Sequence, residues 1–312
     1  MAINHILIAI DGTGSKEWRR ADGLNSHIHR FYSDFTGPEK LYLDGPGNSG
    51  LDVGDIIDNS TREIYRMIGR LIRRNLVNNL SEIKINIIGH SRGGFIAIKT
   101  ANFLQNPISF TRVASRGGQE TDFFNSTMGQ HIPPSLNVNF IGLYDAVKRT
   151  ATETEGDLSL RNVEKTAHAQ RQNMFLSRPT FQGMTIPNAA TKSFDTSHGG
   201  IGGDPGFFTP SNKGKDIYCN ALDLVNIERS WTETIASPLD SAYTLYWKSG
   251  ASSKEQRASD VRRYWQSSIN ADNFIREQAA QKAIPLGGNS SHIPWSEKDQ
   301  ILGLALKSIT NI

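Results

Sequence analysis

A hydroxyl, a carboxylate and an imidazole follow one another along this chain as Ser91, Asp145 and His198. Those side chains suit nucleophilic catalysis. A serine attacks, a histidine takes its proton, and a carboxylate holds the histidine in the right tautomer. Ser91 lies in Gly89-His90-Ser91-Arg92-Gly93, between an apolar run, Ile85-Asn86-Ile87-Ile88, and a helix-like run from Gly94 to Leu104. Strand, G-x-S-x-G and helix make the setting of a nucleophile elbow, a tight turn that exposes the serine at the sheet edge. Glycines two residues either side of Ser91 suit it, because a side chain there would collide with the packed strand and helix. The plain alternative is a glycine-rich β-to-α turn with an incidental serine.

Asp145 ends an expected strand, Asn137 to Tyr144, and His198 sits in Ser197-His198-Gly199-Gly200-Ile201-Gly202-Gly203. Both placements bring the side chain to the carboxyl edge of a parallel sheet, where catalytic groups gather. The order Ser, acid, His is that of α/β hydrolases. Rivals stay open. His292 is the main alternative base, and Asp195, three residues before His198, is the alternative acid. His90 is expected to point away from Ser91, His168 to lie within a helix, and His131 to sit in a loop. The oxyanion hole is expected from the backbone N–H of Arg92 with that of Gly12 or Thr13. For the Arg92 side chain a salt bridge or a solvent role is the expectation. Ile8 to Lys16 also looks like the first phosphate loop of sugar kinases and actin-like ATPases. That fold needs a second glycine-rich loop, and Leu143 to Lys148 lacks the glycines.

The elements that must hold these groups follow from apolar periodicity. Strands are expected at His5 to Ile10, Lys40 to Leu43 and, as a short end, Lys192 to Phe194. Helices are expected from Thr61 to Leu80, capped by Ser60 or Thr61, and from Leu160 to Phe175. Ser109 to Pro134 reads as a long loop, an active-site cover or an insertion. The segment around His198 is too glycine-rich for a regular element. Beyond residue 215, Leu222 to Ile235 reads as a helix, Ser241 to Trp247 as a strand and Ser253 to Lys282 as a polar helix. Alternating strands and helices give an α/β class, with a mostly parallel sheet covered on both faces. The expected organisation is one α/β-hydrolase domain over 1–312, with a catalytic core at 1–214 and an extension at 215–312.

Composition narrows the function classes. The 312 residues are 37% hydrophobic and 21% charged, with a net charge of +3. A nucleic-acid binder would concentrate its basic residues in a stripe. Here only Arg70, Arg73 and Arg74 cluster, and they read as a solvated helix face. One cysteine, Cys219, excludes an internal disulfide and a thiolate zinc cluster. Neither a metal nor a cofactor is expected. No signal peptide is legible at the amino terminus, and no apolar run approaches the roughly 18 residues of a membrane span. The expectation is synthesis in the cytoplasm, with any export through a dedicated machine.

Four segments carry a resemblance: Ile10-Asp11-Gly12-Thr13, Gly89 to Gly94, Gly142-Leu143-Tyr144-Asp145-Ala146-Val147, and His198 to Gly203. In order and spacing they are similar to the α/β-hydrolase domain of uncharacterised function whose best-known members are type VI secretion phospholipase effectors. Ala167-His168-Ala169-Gln170-Arg171, with Phe175 after it, resembles the family's helix between acid and histidine. The resemblance implies Ser91 as nucleophile, Asp145 as acid and His198 as base, hydrolysing esters, with phospholipids the leading substrates. It implies secretion machinery and an immunity protein as partners, and peripheral membrane contact. Two departures bear on substrate identity: Tyr144 stands where the family usually has Trp, and Gly199-Gly200 where it has an acidic residue. Phe123-Phe124 and Phe207-Phe208 are candidate acyl contacts, or plain core. Amide or thioester hydrolysis, and a silent binding role on the same scaffold, remain alternatives.

Overall fold

The computed structural model of the chain describes residues 3–13, 26–47, 49–106, 135–148, 156–172, 183–203, 206–210, 216–220 and 253–287. Six strands form one sheet: β1 (Asn4–Ile10), β2 (Glu39–Leu43), β3 (Ile83–His90), β4 (Val138–Tyr144), β5 (Thr166–Arg171) and β6 (Ala190–Phe194). Their order is β2-β1-β3-β4-β5-β6, and every neighbouring pair is parallel. The central strands are buried on both faces, which is why they read as nearly continuous apolar runs.

Alternate residues of the central strands feed two cores. Ile6, Ile8, Ile10, Ile85 and Ile87 pack beneath helices α2 (Val53–Arg73) and α3 (Arg92–Gln105). Leu7, Ala9, Ile88, Phe140, Ala167 and Ala169 pack on the opposite face. That face is covered by α1 (His27–Asp34), the short α4 (His198–Ile201) and the long α5 (Lys254–Ala280). Ala271, Ile275 and Ala279 form the α5 stripe that meets this core, at helical spacing. The one described helix of the 215–312 extension is thus a covering layer of the sheet. Strands β7 (Gly206–Pro210) and β8 (Asp216–Asn220) form a separate antiparallel pair.

Four expectations are corrected. Within the helix expected over Leu160 to Phe175, Thr166–Arg171 form β5, inserted between β4 and β6, so His168 is a buried strand residue; Phe175 lies outside the described residues. The helix expected to start at Thr61 starts at Val53 and ends at Arg73. Ser60 and Thr61 lie inside it, with their hydroxyls donating to Ile57 O. The arginines at its end are only partly solvated, since Arg70 and Arg74 both pair with Glu39 at the start of β2. The glycine-rich segment at His198 forms one helical turn, because Ser197 caps it and accepts from the Gly200 N–H at 2.9 Å. The long loop of 109–134 with Phe123-Phe124, the elements expected at 222–235 and 241–247, and His131 and His292 lie outside the described residues.

Candidate active site

Ser91 joins β3 to α3 with φ 57° and ψ −125°. A non-glycine residue in this region stores roughly 1–3 kcal/mol of strain, which the surroundings must over-determine. They do. The Ser91 N–H donates to Tyr144 O at 3.0 Å, and its carbonyl accepts from Gly94 N–H and Val147 N–H, each at 3.1 Å. The turn is so tight that a Cβ on Gly89 would collide with the Gly93 carbonyl.

The three residues singled out by type and order converge. His198 Nε2 lies 2.8 Å from Ser91 Oγ, and His198 Nδ1 lies 2.7 Å from Asp145 Oδ2. Oδ2 can only accept when ionised, so the arrangement sets the Nδ1–H tautomer and leaves Nε2 to accept the serine proton. Asp145 is itself held in the left-handed region, φ 45°, with its N–H donating to Ala169 O at 2.7 Å. Burial pushes its carboxyl up, but the hydrogen bond and charge of His198, then Arg171, outweigh it and hold the pKa down at about 2. Asp195 is not beside His198 in this way; it pairs with Arg263 at 3.1 Å.

Two neighbours carried no site role in the sequence. Arg171, at the end of β5, sets its buried guanidinium against Asp145 Oδ2. His90 does point away from Ser91, yet its Nε2 donates to the backbone carbonyl of His198 at 3.1 Å. Burial, with the charge of His198, lowers its pKa to about 4, so it is a neutral donor. His168 is also neutral, lowered by burial to about 4, and its Nε2 accepts from the Ala146 N–H at 3.1 Å, next to Asp145.

Of the expected oxyanion donors, the Arg92 N–H opens α3 immediately after Ser91. The Gly12 N–H is engaged by Asp11 Oδ1 at 2.6 Å. The Arg92 side chain has no solvent role: it is buried, and its Nε donates to Thr13 Oγ1 at 2.7 Å, tying the β1 loop to the elbow. Asp11 also accepts from Ser26 Oγ and Tyr42 Oη, so its carboxylate is spent on the loop's shape.

Helix α5 buttresses the site from behind. Ser268 Oγ donates to Gly200 O at 2.6 Å within the turn that carries His198. Tyr144 Oη donates to Asp272 Oδ1 at 2.8 Å, which gives the tyrosine a polar partner that a Trp N–H would have to reach differently. Among the described residues no group of three or more His, Cys, Asp or Glu side chains could hold a metal ion. No described helix is long and apolar enough to cross a membrane.

No family model matches the sequence, and no curated protein matches it. A solved structure does: the Tle1 effector bound to the VgrG spike from the Type 6 secretion system. It aligns with a TM-score of 0.51 and 14% identity, over 99% of this chain and 78% of that one. The chain has an α/β-hydrolase fold. At that identity the likeness is one of fold alone, and it matches the parallel sheet with helices on both faces. On this fold the carboxyl edge of β3, β4 and the β6–α4 connection carries Ser91, Asp145 and His198.

Proposed function

We propose that the chain is a serine hydrolase of carboxylic esters, acting on lipids. The observation that carries this reading is the 2.8 Å approach of His198 Nε2 to the Ser91 hydroxyl, on a residue held at positive φ. Ser91 Oγ attacks the ester carbonyl as Nε2 takes its proton. The resulting tetrahedral oxyanion is met by the Arg92 N–H and the Thr13 N–H, Gly12 being occupied. The imidazolium hands its proton to the leaving alcohol, and an acyl-enzyme remains on Ser91. Water, deprotonated by His198, then releases the acid and restores the serine. Asp145 orients the imidazole throughout.

The lipid substrate rests on the motif resemblance and on the fold shared with a type VI effector. The same two supports make the type VI secretion apparatus, and an immunity protein, the partners we propose. The neighbour was captured on the VgrG spike, which makes a spike protein the first binding partner to try.

The test is a panel of phospholipid vesicles, short acyl esters, acyl thioesters and peptides, offered to the native chain and to Ser91→Ala. Fatty acid release from phospholipid, lost by roughly 10³-fold or more in Ser91→Ala, supports the reading. Turnover of peptides or thioesters alone moves the chain to another substrate class. No turnover of any acyl compound overturns it.

A further inference from the structure

The Arg171 guanidinium and His198 Nδ1 converge on one atom, Asp145 Oδ2, and stand 3.2 Å apart. A guanidinium has only donors, and Nδ1 carries the hydrogen that Oδ2 accepts. The two nitrogens are therefore not bonded to each other; they are two donors sharing an acceptor. All three side chains are buried, so little water screens the approach.

This arrangement differs from a simple acid–histidine pair. A lone carboxylate beside an imidazole favours the imidazolium. Arg171 is charged at every pH the protein meets, and it engages the very oxygen that would stabilise that imidazolium. Protonating His198 at Nε2 would set a second positive charge beside a permanent one, which like-charge repulsion opposes.

The other groups facing His198 leave this balance to Arg171 and Asp145. From β3, the His90 ring lies 5.0 Å from that of His198 and is a neutral donor, on which the Asp11 charge also acts. From β5, His168 is neutral and hydrogen-bonds Ala146. On α5, Arg263 is held by Asp195 and Asp260, and Arg276 by Asp272 and Asp34.

We propose that Arg171 is a positioning residue for the Asp145–His198 pair: it fixes Oδ2 beneath Nδ1, and its permanent charge works against a second positive charge on the imidazole. This rests on the reading of Ser91, His198 and Asp145 as the reacting set.

The experiment is the pH dependence of Ser91 acylation-type labelling by a fluorophosphonate, in the native chain and in Arg171→Met, Arg171→Gln and Arg171→Lys. Both neutral variants should move the acid limb of the labelling profile to higher pH by about 1 unit or more. Arg171→Lys keeps the charge but not the planar fork, so its limb should stay near that of the native chain while the rate falls across the range. A neutral variant whose limb does not rise overturns the proposal. So does an Arg171→Lys limb that rises as far as a neutral one, and that arm stands even if the neutral chains do not fold. Native labelling at Ser91 with unmoved limbs would sink only the role of Arg171. Native chain that does not label at any pH would sink the serine mechanism and this role with it.

Discussion

The Nε2–H of His90 donates to the backbone carbonyl of His198 at 3.1 Å, tying the residue before Ser91 to the residue whose imidazole faces it. The bond spans β3 and α4, two elements more than a hundred positions apart in the chain. It fixes where the His198 backbone stands relative to Ser91, and so sets the 2.8 Å contact between them.

Replacing His90 by Phe keeps a ring of similar size but removes the donor. The turn carrying His198 would lose one of its anchors, and a small displacement of a catalytic group is costly. Ester turnover should fall by between about 10- and 100-fold in kcat with KM little changed. Equal kcat in His90→Phe and the native chain would show that the bond does not position the base.

Gly12 must lack a side chain for the same reason. A Cβ there would meet the His90 imidazole, and Gly202 packs against that ring from another side, so the ring has no room to retreat. Gly12→Ala should destabilise the chain by about 1–3 kcal/mol, read as a lowered urea midpoint. An unchanged midpoint would mean that the ring is not confined.

The central strands, and the three side chains that meet at their carboxyl edge, were legible because their signals are local. Ile85 to Ile88 before a G-x-S-x-G turn, and Asn137 to Tyr144 before Asp145, each carry strand and site together. Strand β5 was not legible. Thr166-Ala167-His168-Ala169-Gln170-Arg171 has little β-branched character, and its alanines favour a helix. Tertiary context overrides that preference: Ala167 and Ala169 lie in the core shared with α5, and His168 and Arg171 are recruited to Ala146 and Asp145. The start of α2 was hidden because Gly54, Asp55 and Asp58 dilute the apolar spacing of Val53 and Ile57. Arg171 and His90 act through groups distant in sequence, and no spacing rule reveals such partners.

Tyr144 supplies a stability prediction. Its hydroxyl donates to Asp272, a wholly buried carboxylate that also pairs with Arg276. In Tyr144→Phe that carboxylate loses a donor it cannot replace from water, at a cost of about 1–3 kcal/mol. Urea unfolding checks this, and a loss below about 0.5 kcal/mol would show that Arg276 and His27 satisfy Asp272 without the tyrosine.

Acid should weaken the fold in a defined window. His90 and His168 are both lowered from 6.5 to about 4, so between those values the unfolded chain binds protons that the folded chain refuses. Stability is complete above about pH 6.5 and falls as pH drops toward 4, by about 3 kcal/mol for each histidine as an order of magnitude. Asp145 adds nothing to this window's lower half, since its contribution disappears only as pH falls from 3.8 through about 2. Urea midpoints measured across the window should fall steadily, and more shallowly in His168→Gln. A flat midpoint would mean that the two rings protonate without cost.

The proposed reaction turns on activation of Ser91 by His198. The direct measurement is reaction of the native chain with a fluorophosphonate, followed by mapping of the adduct by mass spectrometry. One adduct is expected, on Ser91, absent from Ser91→Ala and formed far more slowly in His198→Ala. A folded native chain that forms no adduct, or a Ser91→Ala chain that labels as well as the native one, would contradict it.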